Sequence, residues 1–461
     1  MKLKKRIVFL ILSVLLVLTA LTGCTTKNAE ESQTTAQTSD QSSNQSSDQP
    51  SVPPAPLYDE NKQYTVKILY PWGQDNFDKI FSEEFKSKIP NITIELVEGA
   101  AQLTPLQELN ANGIVPDLIW SSFGLEPLQE LEMIEPLDDL VQAYSFDLTK
   151  LDPSAVSYSR NLDSEGRLLG LPIGGTTLTL WYNKEVFDKF GQPYPTDHMT
   201  WDDIYTIAAK MTREHDGVMY RGLELGNGFT AKEALIPLWQ KGVSLSNAET
   251  GEVLVETEPA VRETFELLKK FFSIPNLYNT DPEARNRMQF YENTVAMTVS
   301  YPGMMNWMSG GNADVIKDIE AAPIPVWSGE DRAAFVAPHH WVINSFSKEK
   351  DAAFRVLQEY YSDWYLKAFA RSGGTPASMD PDVLAEFGKE TPMLQGKNIP
   401  VFFKYPKADP PQQISKWDIY VNAVLEGSIA KFAESEMNIP EFLRTVKEEA
   451  EIKIKEAKAM K

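Results

Sequence analysis

The sequence predicts an α/β fold with a mostly parallel sheet, in a chain long enough for two or more domains. Three observations carry this expectation. Segments of strand period alternate with segments of helix period from Gln63 to Trp120. Beyond an N-terminal leader and a polar segment, about 400 residues remain, more than one hydrophobic core usually holds. Aromatic residues make up 11% of the chain, enough for large cores.

Taken in order, Tyr64, Val66, Ile68 and Tyr70 alternate with Thr65 and Lys67, which is strand period, and the run ends at Pro71-Trp72-Gly73. Asp75 to Lys88 is expected as an amphipathic helix with Phe77, Ile80, Phe81 and Phe85 on one side. Ile92, Ile94 and Leu96 mark a second strand, 104–110 a second helix, and Pro116–Trp120 a short buried strand running into Ser121-Ser122-Phe123-Gly124. In such a sheet the ligand crevice lies beyond the carboxyl ends of the strands, so 71–75 and 121–124 are candidate ligand loops. Trp72 serves there either as a ligand platform or as a core-edge residue. Residues 128–144 read as two helical pieces broken at Pro136.

The stretch from Gly170 to Met211 joins Gly174-Gly175-Thr176-Thr177, a strand over 178–182, a helix over 184–190 stopped by Gly191, and a second helix from Thr200. Thr200 and Asp203 have the spacing of a reciprocal cap, which explains them better than catalysis does. Ile204, Ile207, Ala208 and Met211 follow on one helical face. Further on, 223–229 is a turn-rich loop entering a helix over 231–240, and 257–272 is helical. Residues 286–293 form a polar helix or turn, 295–299 a strand, and 301–307 a loop into a helix. Pro323 and Pro325 make 319–326 an edge or linker segment. Residues 339–344 are strand-like, a helix follows Ser347, 371–376 is a tight loop, and two helices occupy 416–458, the second opening at Asn438 with Pro440 just inside.

The N-terminus carries Lys2, Lys4, Lys5 and Arg6, then an apolar run from Ile7 to Leu21, the pattern of an export signal over residues 1–23. Leu21-Thr22-Gly23-Cys24 resembles the bacterial lipobox, which implies lipidation of Cys24. That thiol is the sole cysteine and has no partner for an internal disulfide. Residues 24–60 are dominated by Ser, Thr, Gln, Asn and Pro, and bury too little to offset ordering, so they read as a disordered tether. The formal charge of −21 argues against nucleic acid and against a polybasic membrane patch. His198, His215, His339 and His340 show no metal-ligand spacing, so neither metal nor cofactor is expected.

Leu171-Pro172, Leu180-Trp181-Tyr182-Asn183-Lys184-Glu185 and Thr200-Trp201-Asp202-Asp203 occur in that order. Thr294–Met297 with Trp307, Trp341–Asn344 before Ser347-Lys348, and Gly373–Pro376 follow. This ordered set resembles the extracellular solute-binding proteins of ABC importers, in the maltose-binding-like, sugar-binding branch. The resemblance spans nearly all of the folded part. It implies a two-lobed, type II periplasmic-binding-protein-like fold with hinge strands between the lobes. The N-terminal lobe would comprise 61–174 plus 339–376 and the C-terminal lobe 177–331 plus 380–461. Crossings are implied near 174–177, 332–339 and 374–380.

The same resemblance implies a lipid-anchored monomer on the outer face of the cytoplasmic membrane. It would capture a mono- or oligosaccharide, hand it to membrane permease subunits, and have no catalytic residue. A sugar offers apolar C–H faces and hydroxyl rims, which call for aromatic planes and fixed polar groups. The candidates in cleft-facing loops are Trp72, Asp75, Ser121, Ser122, Thr176, Asn227, Tyr301, Asn306, Trp307, His340, Trp341 and Arg371. Ser121 and Ser122 match a polar loop of the family, and Thr176 matches a hinge position that reaches ligand. His340 and Trp341 stand where relatives often carry a Gly-rich pair, implying a bulkier cleft edge. An exported carbohydrate-active enzyme and a binder of a non-sugar solute stay open as alternatives. The first needs a carboxylate pair that no motif isolates.

Overall fold

A computed structural model describes residues 57–122, 124–225, 232–281, 283, 289–310 and 312–459, with the side chains of 306–309 and 313 outside the description. The leader, Cys24, the tether to residue 56 and Asn227 therefore lie outside the described residues.

Two separate sheets organise the chain. The first has the order β2-β1-β3-β10-β4, built from β1 (Tyr64–Tyr70), β2 (Ile92–Glu98), β3 (Leu118–Ser121), β4 (Leu171–Gly174) and β10 (His339–Ile343). β1 pairs in parallel with β2 and β3, as the strand–helix alternation predicts. β10 inserts antiparallel between β3 and β4, pairing Trp341 with both Trp120 and Leu171. Alternation sends Ile68 and Trp341 to one face, with Phe77, Phe81, Phe85, Phe354 and Leu357. It sends Leu69, Ile119 and Val342 to the other, with Leu106 and Leu128. Burying a side chain of this size is worth roughly 1.5–3 kcal/mol, so a sheet covered on both faces accounts for much of the lobe's stability.

The second sheet has the order β8-β5-β9, from β5 (Thr179–Asn183), β8 (Met297–Ser300) and β9 (Ile319–Ala322). All its pairings are antiparallel. Leu180 and Tyr182 face a large helical core with Phe187, Trp201, Phe265, Phe271 and Leu425. Trp181 faces the opposite side with Phe290, Met305 and Phe402. β9 ends at Ala322, immediately before Pro323, where the missing backbone donor stops an edge strand.

Local chemistry sets the element boundaries. The expected helix over 75–88 is two helices, Gly73–Ile80 and Glu83–Ser87, because Ser82 breaks it and caps the second turn by accepting from the Phe85 amide at 3.3 Å. Thr200 and Asp203 form the expected capping box at the start of the Trp201–Met211 helix. Gly191 closes the Lys184–Phe190 helix at φ +60°, a conformation that costs a side chain with a Cβ. Asn438 caps the Ile439–Ala459 helix through the Glu441 amide at 2.9 Å. Elements that the sequence reading did not mark include a helix and a hairpin. Asp152 caps and Pro153 opens a Pro153–Asn161 helix. Asp216-Gly217, both at positive φ, join β6 (Arg213–His215) and β7 (Val218–Tyr220) in a two-residue hairpin.

Where the chain passes between the sheets, side chains bind the crossing segments together. A Cβ on Gly174 would lie 2.2 Å from the Thr375 carbonyl oxygen, so the end of β4 and the segment around 375 touch at a point where only glycine fits. Lys407 Nζ meets Asp152 Oδ2 at 2.8 Å. Burial would raise the Asp152 carboxyl, but Lys407 and Ser154 outweigh it and hold the group below its ordinary value.

Thr200→Ala removes the hydroxyl arm of the capping box, the bond that Thr200 Oγ1 accepts from the Asp203 amide, and leaves the Thr200 amide bonded to Asp203 Oδ2. It should lower the unfolding free energy by about 1 kcal/mol in urea titrations. An unchanged midpoint would show that packing of Trp201, not the cap, fixes this helix start.

Candidate functional site

The strand ends of both sheets meet at a cleft. A cavity of about 200 Å³ is lined there by Trp120, Gly174, Thr176, Tyr301, His339 and Phe369, among others. Each residue arrives for a local reason. Trp120 sits near the carboxyl end of parallel β3, where α/β sheets place ligand loops. His339 is the first residue of β10, whose reversed direction brings its N-terminus to that same edge. Tyr301 follows β8, and the Pro302–Ser309 helix then turns away. Thr176 lies on the first crossing.

The lobe 1 wall is aromatic. Trp72, 44% exposed, stands edge-on to Trp120 with ring centroids 5.3 Å apart. It lies nearly parallel to the exposed His339 ring at 6.2 Å. Tyr70 packs edge-on to both tryptophans at 5.3 Å, and burial pushes its phenol up to about 12. In this wall Trp72 and His339 are exposed, of the kind that holds the apolar side of a ring, while Trp120 is buried edge-on beneath them. Polar demand surrounds it. Trp120 Nε1, Ser122 Oγ and Ser300 Oγ are buried and have no hydrogen-bond partner. Buried polar groups of this kind cost on the order of 1–3 kcal/mol each unless something satisfies them.

The sequence-predicted residues divide accordingly. Thr176 and Tyr301 line the cavity and Trp72 packs on its aromatic wall, whereas Ser122, just after β3, is outside the lining with a buried, unpartnered hydroxyl. Asp75 is exposed in the first turn of the Gly73–Ile80 helix, outside the cavity lining. Ser121 is buried and its hydroxyl donates to the Gly124 carbonyl, which makes it a loop brace. Asn306 and Trp307 fall in the Pro302–Ser309 helix, with their side chains outside the description.

Three expectations are corrected. Trp341 is fully buried, packed at 4.9 Å under Trp120 and at 5.9 Å against Phe81, one strand period below the cleft. His340 points to the opposite face of β10, is buried, shares a 2.8 Å hydrogen bond with Ser159 Oγ and stacks on Tyr158. Its neighbour His339 is the cleft histidine. Arg371 is engaged by Glu386 at 3.2 Å and Glu390 at 3.1 Å, and is a helix-end tie.

Sequence reasoning missed Trp120, His339 and Ser300. The strand-end rule applied to 71–75 and 121–124 also covers Trp120, one residue before the loop. Strand alternation separates His339 from His340 once the direction of β10 is known. Nothing local marks Ser300. Among the described residues, no group of three His, Cys, Asp or Glu side chains could hold a metal ion.

Residues 70–365 match the family model of bacterial extracellular solute-binding proteins. A relative from Brucella abortus (strain 2308), described as a binding protein, is 24% identical over 310 residues, 64% of this chain and 71% of its own. The sugar-binding protein MalE of Xanthomonas citri superposes with a TM-score of 0.66 at 17% identity, covering 86% of this chain and 99% of that one. The cyclic alpha-maltosyl-1,6-maltose binding protein of Arthrobacter globiformis gives 0.65 at 15%, covering 84% and 98%. An ABC substrate-binding protein of Listeria monocytogenes in complex with cycloalternan gives 0.59 at 17%, covering 85% and 99%. The architecture of two lobes is thus shared with known binding proteins.

Burial lowers the His340 pKa to about 3, with His339 adding to the shift, from an ordinary 6.5. The unfolded chain therefore binds a proton that the folded chain refuses across that window. The associated stability is whole above pH 6.5 and is lost as pH falls toward 3. His340→Gln should flatten the acid-side decline of unfolding free energy in urea titrations between those pH values. A decline as steep as that of the wild type would assign the acid sensitivity to other groups.

Proposed function

The chain belongs to the bacterial extracellular solute-binding proteins, and from that premise we propose that it captures a carbohydrate between its lobes and delivers it to the membrane permease of an ABC importer. The observation that carries the reading is the aromatic wall of Trp72, Trp120 and His339 at the cavity, with Trp72 and His339 exposed and the buried Trp120 Nε1 lacking a partner. A pyranose ring answers both needs, with its C–H face on an aromatic plane and its hydroxyls on the unpaired atoms. The similar structures from Xanthomonas citri, Arthrobacter globiformis and Listeria monocytogenes, named for or solved with saccharides, support the same substrate class.

In this reading Trp72 and Trp120 supply the planes, and Ser122, Thr176 and Ser300 the polar contacts, with Tyr301 closing from the second lobe. Asn227, Asn306 and Trp307 join them on sequence position. Binding is non-covalent and the protein is not an enzyme. The residues lining the cavity include no carboxylate pair. Capture works by differential affinity: a ligand touching both walls binds the closed arrangement more tightly and shifts the population toward it. The hinge segments near 174–177, 332–339 and 374–380 absorb the change in backbone angles.

Export and anchoring follow from the N-terminus. The basic residues, the apolar run and Cys24 make the protein a lipoprotein, tethered by the polar segment to the outer face of the cytoplasmic membrane as a monomer. Among the described residues, no helix is long and apolar enough to cross a membrane.

Intrinsic fluorescence titration of the protein with maltose, mannotriose, tagatose, glucose, galactose and xylose tests the reading. Saturable change with the sugar recovered intact is expected. Release of a product would make the protein an enzyme, and silence toward every sugar would favour a non-sugar solute. Trp72→Ala should weaken the bound sugar roughly thirtyfold, the loss of about 2 kcal/mol of ring contact. Unchanged affinity would remove Trp72 from the site.

A further inference from the structure

Beside the cleft lies a second cavity of about 200 Å³, lined by Asp152, Ser154, Phe402, Tyr405 and Lys407 among others. Among the described residues it shares only Thr176, Thr177 and Thr375 with the cleft cavity. The passage from β4 to β5 is therefore a partition with a cavity on either side. Asp152 and Lys407 join the two lobe cores across the second cavity. Asp152 follows Leu151 of the lobe 1 core, and its amide donates to the carbonyl of Ala377 in that core at 2.7 Å. Lys407 lies two residues after Tyr405 of the lobe 2 core. Its neighbours Pro406 and Ala408 hold Ala333, which packs on that core, through two backbone hydrogen bonds of 2.8 Å. The carboxylate of Asp152 divides its work. Oδ1 accepts from the Ser154 amide at 3.0 Å and hydroxyl at 2.6 Å, and Oδ2 meets Lys407 Nζ at 2.8 Å. The two side chains are 9% and 17% exposed, so solvent screens the pair weakly. Lys407 Nζ also lies against the passage itself, where it leaves no room for a Cβ on Gly175. Trp72 and His339 stand exposed in the cleft, so the pair is made in an arrangement with the lobes apart.

We propose that the Asp152–Lys407 pair is a latch that holds the cleft open, and that Lys407 is a positioning residue that sets sugar affinity without touching the sugar. The inference rests on the carbohydrate-capture reading and adds to it the group that opposes closure. Lobes that turn about a partition approach on one side as they part on the other. Closing on a ligand in the cleft therefore widens the second cavity, draws Asp152 Oδ2 away from Lys407 Nζ and lets water solvate both. The pair stabilises the open arrangement alone, so part of the ligand's binding energy goes into parting it. Removing either charge takes that stabilisation from the open state and leaves the closed state as it was. The closed population rises, and the apparent dissociation constant falls by the same factor while the open state remains dominant.

The test uses two variants of the full-length protein. Lys407→Met keeps the aliphatic stem, and Asp152→Asn keeps the cap of the Pro153–Asn161 helix, since asparagine caps as well as aspartate. In calorimetric titration with the tightest-binding sugar of the panel, each should bind about fivefold more tightly than the wild type. The double variant should gain no more than either single one, and Lys407→Arg should stay close to the wild type. Amide hydrogen exchange without sugar gives a second readout: the segments around Trp72 and Tyr301 should exchange more slowly in both variants, because a larger closed population shields the cleft. Unchanged or weaker sugar binding, or exchange as fast as in the wild type, in a folded variant would overturn the latch and leave sugar capture standing. If one variant fails to fold, the other decides. A wild type that binds no sugar would overturn the carbohydrate reading, and the exchange rates would then decide the latch by themselves.

Discussion

The insertion of β10 between β3 and β4 is the constraint on which the rest depends. Without it the first sheet is two fragments, β2-β1-β3 and β4, that share no backbone hydrogen bonds. With it, Trp341 slides under Trp120 and joins Phe81 and Tyr360 in an edge-to-face aromatic column. Each such ring pair adds roughly 0.5–1.5 kcal/mol beyond area burial, and the column fixes the floor of the cleft. Because β10 runs against its neighbours, its first residue and not its last reaches the ligand edge. One topological fact thus seats His339, buries Trp341 and turns His340 away into a polar pocket with Ser159 and Tyr158.

The two walls of the cleft divide the chemistry. Lobe 1 contributes rings, held rigid by the column below them. Lobe 2 contributes Tyr301, which follows β8, and Glu224 is buried in the same lobe. Glu224 is spoken for, since its carboxylate accepts the Gln289 and Phe290 amides at 3.0 and 2.9 Å and so shapes the neighbouring turn.

Much of this architecture was legible in the residues. Alternation showed β1 and β2, cap spacing showed the Thr200 helix start, and Pro323 with Pro325 marked 319–326 as an edge or linker segment, where β9 is an edge strand. The site was legible only in part. Trp72 was marked by its place in the loop after β1 and Thr176 by the family resemblance, but Trp341 and His340 were misassigned because strand direction is a tertiary property. Both neighbours of β10 come from segments about 170–220 residues earlier, and no local pattern records which way it enters the sheet. Arg371 was misassigned for a related reason: its partners, Glu386 and Glu390, lie beyond the loop that seemed to leave it free. The split of the 75–88 helix hinged on one serine competing for the backbone, a contest that apolar periodicity does not register.

The two cores close at different points along the chain. The last buried member of the main lobe 1 core is Val383, whereas the lobe 2 core still needs Phe442, Leu443, Val446, Ala450 and Ile454 from the final helix. A chain emerging from its N-terminus can therefore complete the first lobe while the second, begun near residue 178, waits unfinished. During that interval Phe265 and Phe432 lack the Phe442 ring that later packs on both at 4.9 and 4.5 Å. The maturing protein passes through a stage with one finished lobe and one open greasy face, the stage at which holding factors or misassembly would act. A stop codon ahead of Phe442 would trap it there.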